Sequence, residues 1–83
     1  MNIQLIQGQF NAKDAIDIIT QMIHIKIKHH ESKISNASNE EDIKFCETKI
    51  KRLQKDLFEI RKFVQQCGAN INIQSEINLS CLL

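Results

Sequence analysis

Between Ile43 and Cys67 the apolar residues fall at Ile43, Cys46, Ile50, Leu53, Leu57, Ile60, Val64 and Cys67. The steps alternate three and four without a break, which is the a/d spacing of a heptad seam. A helix with such a stripe cannot bury it alone. It needs a second helix along its length, and the rest of the chain must supply one.

That partner is expected over residues 12–34. Asn11 is a favourable N-cap with Asp14 three residues on, and Phe10 before the cap can pack on Ala15. Ala12, Ile16, Ile19, Ile23, Ile27, His30 and Ile34 form the main stripe. A second apolar set, Ile18, Met22 and Ile25, lies to one side. At 100° per residue the apolar arc then spans about half of the helix circumference. One neighbouring helix would not cover that much.

The link, residues 35–39, is short, so the two helices are expected to be antiparallel neighbours. Ser38 with Glu41 fits a capping box, and the second helix is expected over 39–67. Gly68 follows it, where a left-handed residue commonly ends a helix. Phe45, Phe58 and Phe63 lie off the seam. Phe45 and Phe63 share one side of the helix, because 18 residues make five turns.

Strands are expected at both ends. In residues 2–7, Ile3 and Leu5 share one face while Ile6 breaks the alternation, and Gly8 permits a turn. Residues 70–79 alternate more regularly, with Ile71, Ile73, Ile77 and Leu79 on one face and Asn72, Gln74, Glu76 and Asn78 on the other. The expected class is α+β: a long antiparallel, coiled-coil-like helical hairpin flanked by short strands, in the order β-α-α-β within one domain over 1–83.

With 83 residues the core is small, and a core of this size rarely supplies more than about 3–5 kcal/mol. A second subunit is one way to add to it. Eleven basic and ten acidic residues leave a net charge of +1, so no global field draws in nucleic acid or an anionic membrane. The three cysteines, Cys46, Cys67 and Cys81, are oddly numbered and irregularly spaced, which does not read as a disulfide framework. Cys46 and Cys67 are expected in the buried seam. A reduced, cytoplasmic protein without a signal peptide or membrane span is expected.

Chemistry is sparsely signalled. His24, His29, His30 and Glu31 suggest a metal, but no His-x3-His or Glu-x2-His pair places two ligands on one helix face. No metal or cofactor is expected. Lys26, Lys28, His29, His30 and Lys33 form a basic cluster that could meet phosphates. Helix electrostatics accounts for much of it, since Asp14 and Asp17 open the first helix and these bases close it. Glu40, Glu41 and Asp42 likewise open the second, with Arg61 and Lys62 near its end. Glu40–Lys44, Glu47–Lys51, Arg52–Asp56 and Lys55–Glu59 are spaced i,i+4, as on a solvated helix face or as interhelical e/g-type pairs that set register. A thiolate is disfavoured at Cys46 and Cys67 on the expected buried seam, nothing near Cys81 in sequence would activate it, and the only glycines are Gly8 and Gly68, so no phosphate loop exists. An enzyme is not expected.

The expected function is a small interaction or structural module, a homodimer that self-associates through Ile18, Met22, Ile25, Phe45 and Phe63. The alternatives are nucleic-acid binding through Lys26, Lys28, His29, His30 and Lys33, or an adaptor subunit for a different protein. The apolar tail Cys81–Leu83 could itself be a docking peptide.

Overall fold

The computed structural model describes residues 1–36 and 39–82. Its elements are β1 (Asn2–Phe10), α1 (Ala12–Asn36), α2 (Glu40–Cys67) and β2 (Ile71–Asn78). The order and class are those expected: two helices and a two-stranded antiparallel ribbon.

Both helices start on the same local device. The Asn11 side-chain oxygen accepts the Asp14 backbone N–H at 2.8 Å, and its amide donates to the Asp14 carboxylate at 3.2 Å. Asn39 repeats this with Asp42, at 2.8 and 3.1 Å. Each pair satisfies an otherwise unpaired N–H of the first turn and sets a carboxylate at the positive helix end. The cap of α2 is therefore Asn39 with Asp42. The box expected from Ser38 and Glu41 falls on Ser38, which lies outside the described residues. α2 ends at Gly68, whose φ of 62° is the left-handed conformation anticipated there. The last turn of α2 carries no basic residue, because Arg61 and Lys62 sit further back. Complementarity to the helix dipole thus holds at three of the four helix ends.

The heptad seam faces α1 over most of its length. Cys46, Leu57 and Val64 are buried, and Ile43, Ile50, Leu53 and Ile60 are half-buried. Cys67 is exposed, contrary to expectation. The reason is geometric: α1 begins at Ala12, so the partner helix runs out opposite the final turn of α2. The side chains of all four i,i+4 charge pairs are exposed in the single chain.

The strands differ from expectation in length. β1 continues through Gly8 to Phe10 instead of turning at Gly8. Asn2, Ile3 and Gln4 pair with Asn78, Ile77 and Glu76, after which Ile6 pairs with Ser75 and Phe10 with Ile71. Leu5 is thus the extra residue of a β-bulge. The bulge explains why Ile6 breaks the alternation: Ile3 and Ile6 lie on the same face, each in phase with its own half of the strand. Gly8, at φ 147°, takes a positive-φ conformation that side chains disfavour.

Only the half of the ribbon nearest the helices is covered. Ala15, Val64, Ile71 and Ile73 form the buried core cluster, with Ile6, Phe10, Ala12, Ile16, Ile19 and Ile60 packed around it. Ile77 and Leu79, which alternation puts on the apolar face of the strand, are exposed, as are Ile3, the partner of Ile77, and the bulged Leu5. Coverage extends to the Ile6–Ser75 pair, beyond which the apolar residues of the ribbon are exposed.

The molecule is accordingly thin and open. It measures 46 × 32 × 13 Å with a radius of gyration of 15.6 Å. A compact chain of this length would have a radius near 12 Å.

Candidate functional site

Two sides of the hairpin differ in chemistry. On one, α1 contributes a flank that climbs through Ile18, Met22 and Ile25 to His29 and Lys33, successive positions lying within about 60° of one another on the helical wheel. Ile18 and Met22 are half-buried and Ile25 is 70% exposed. The same side of α2 presents Phe45 and Phe63, 62% and 64% exposed. Ile25 also borders a shallow depression with Gln21, His24 and Lys28, so it stands at the outer edge of α1 between the two sides.

Near the linker this side deepens into an open groove of about 440 Å³, lined by His29, His30, Ser32, Lys33 and Asn36 of α1 and by Asp42, Phe45 and Cys46 of α2. The lining ties the α1 flank and Phe45 to one surface. The Lys49 ammonium sits 5.2 Å from the centre of the Phe45 ring, a cation–π contact. His29 and His30 meet edge to face at 5.8 Å.

His30 is half-buried, and its Nδ1 is buried without a hydrogen-bond partner among the described residues. Its pKa is pushed below the ordinary 6.5, first by burial and then by the positive charges of His29, Lys33, Lys26 and Lys49. Both effects disfavour the imidazolium, so His30 resists protonation.

The basic cluster is split by the fold. Lys26, His29, His30 and Lys33 gather on the groove side, where Lys49 of α2 joins them. Lys28 points to the other side with His24, into a cleft of about 330 Å³ that also takes in Ile27, Glu31, Gln54 and Leu57. Phe58 lies off the groove side as well, with Lys62 5.3 Å from its ring centre. The contribution of Lys49 is not readable as part of a local run, since it is sixteen residues from Lys33 and comes close only through the antiparallel pairing.

Among the described residues no group of three His, Cys, Asp or Glu side chains is placed to hold a metal ion. No described helix is long and apolar enough to cross a membrane. No protein-family model, curated protein or solved structure matches this chain.

Proposed function

We propose that this protein is a small, non-catalytic module that self-associates through the side of its hairpin formed by Ile18, Met22, Ile25, Phe45 and Phe63. The observation that carries this reading is surplus surface. The chain exposes 6793 Å². A folded monomer of 9.6 kDa exposes about 5,100 Å², so the excess is about 1,700 Å². A standard protein interface buries about 800 Å² per partner. The excess is thus large enough to supply a dimer interface, and a second copy is always present to cover it.

Light scattering after size exclusion, over a dilution series in reducing buffer, tests this. A dimer is expected, and Ile18→Ser with Ile25→Ser is expected to yield a monomer or an unfolded chain. A folded wild-type monomer at every concentration would reject the reading.

A second reading has one specific observation in its favour. Lys49 reinforces Lys26, His29 and Lys33 around the groove with Phe45 alongside, a pairing of cations with an aromatic ring that suits a nucleic-acid strand. Its test is binding to single-stranded DNA or RNA across ionic strength. Affinity should fall steeply with salt, because phosphate contacts release counterions.

A further inference from the structure

The outward side of α2 carries a second, charged stripe at heptad spacing. Phe45, Lys49, Arg52, Asp56, Glu59 and Phe63 all lie within about 40° of the Phe45–Phe63 line on the helical wheel, an arc of about 80°. None of them is buried, and the two phenylalanines at its ends are among the most exposed large apolar side chains of the helices. The stripe reads aromatic, two positive, two negative, aromatic.

This order is complementary to its own reverse. About a centre at position 54, Phe45 mirrors Phe63, Lys49 mirrors Glu59, and Arg52 mirrors Asp56. We infer that α2 is the dimerisation helix and that it packs on the α2 of a second copy in antiparallel register, with the twofold axis passing at the level of position 54. This inference rests on the self-association proposed above and specifies its geometry.

Three arguments select the second copy and the orientation. First, a two-fold interface must match a surface to itself, and this stripe does so in one direction only. In the antiparallel register every charge along the stripe meets its opposite. In the parallel register Lys49, Arg52, Asp56 and Glu59 would each face their own copy, giving four levels of like charge. Second, Phe45 and Phe63 lie about 27 Å apart along the helix. Each would stack with the other's copy at one end of the contact, so two aromatic anchors bracket the charged centre. Third, the surplus surface per chain exceeds what a standard interface removes. Charge pairs of this kind set orientation and partner choice more than affinity, because desolvation offsets their attraction. The phenylalanines and the apolar flank of α1 provide the burial.

Cysteine trapping decides the matter. Lys49→Cys and Glu59→Cys are made as separate chains in a background with exposed Cys67 and Cys81 changed to Ser. Each is oxidised alone and as an equimolar mixture, with helicity checked by circular dichroism. In the antiparallel register position 49 faces position 59 of the partner, whereas two copies of position 49 are about 15 Å apart along the axis. The disulfide-linked dimer should therefore form in the mixture at least tenfold more than in either chain alone. Equal trapping in the single-variant samples would overturn the register while leaving self-association standing. A dimer by light scattering with no trapping in any sample would move the interface off this stripe. A folded monomer by light scattering would remove both the inference and the reading beneath it.

Discussion

Ala15 and Val64, separated by 49 residues of sequence, join the two helices at the base of the ribbon with 0% and 1% of their surfaces exposed. They share one buried cluster with Ile71 and Ile73. The pairing locks α1, α2 and β2 together at a single point, and most of the remaining seam is only half-covered. Stability should be concentrated there.

Val64→Ala removes two methyl groups from a site that cannot collapse without moving three elements. The loss should be about 2 kcal/mol from transfer and cavity terms. Ala15→Leu tests the same site from the other side, since overpacking should cost about 1–3 kcal/mol. Urea denaturation at a fixed protein concentration measures both, because association makes the midpoint concentration-dependent.

Asn11 and Asn39 cap their helices with matching hydrogen bonds. Asn11→Ala and Asn39→Ala should each cost about 1 kcal/mol. The two caps sit at opposite ends of a 25-residue helix, so the double variant should lose the sum within about 0.5 kcal/mol. A strongly non-additive result would show that the hairpin does not unfold as one unit.

Gly8 and Gly68 hold φ values of 147° and 62°. A Cβ at either would meet nothing within 4 Å, so any cost of substitution is conformational and not steric crowding. Gly68→Ala should destabilise by about 1–2 kcal/mol. Gly8→Ala should cost about 1–3 kcal/mol, and should show in amide-exchange protection of Ile73, the residue paired with it.

His30 carries a lowered pKa in the fold, through burial and then the charges of His29, Lys33, Lys26 and Lys49. The unfolded chain binds its proton more readily, so stability should be full above the unfolded value near 6.5 and decline as pH falls below it. Below the folded pKa the decline should level off. Comparing urea midpoints at pH 7.5 and 5.5 in wild type and His30→Gln checks this. The variant should lose the part of the pH dependence that His30 contributes.

Lys49→Glu with Arg52→Asp gives the outward stripe of α2 one sign throughout and should weaken self-association at least tenfold. Adding Asp56→Arg and Glu59→Lys restores the complementary order in reverse and should restore the dimer. Sedimentation equilibrium reads both. Recovery would tie association to charge order along the helix, because net charge alone does not distinguish the fourfold variant from wild type.

Much of the fold was legible in local pattern. The alternating three-and-four spacing from Ile43 to Val64 specifies a helix with one buried side, whatever covers it. Asn11 and Gly68 mark helix ends through bonds and dihedrals that involve only their immediate neighbours. The second Asn-x-x-Asp box at Asn39 was equally readable, although Ser38 with Glu41 offered a competing cap one residue earlier. The shared side of Phe45 and Phe63 followed from the helical repeat alone.

What periodicity could not supply was the meeting of distant segments. The bulge at Leu5 exists because β1 must keep Ile3 and Ile6 on the same face against one continuous partner strand, and neither strand shows that requirement in isolation. Cys67 fits the seam by spacing and is exposed because α1 does not extend far enough to cover it. Lys49 joins His29 and Lys33 only through the antiparallel pairing, while Lys28, local to that run, is turned away by the helical step. Ile77 continues the alternation of Ile71 and Ile73, yet it is exposed and lies outside the buried cluster that those two join. Local spacing determined which side of each element is apolar; the lengths and register of the packed partners decided how much of that side is covered, because burial depends on what lies opposite.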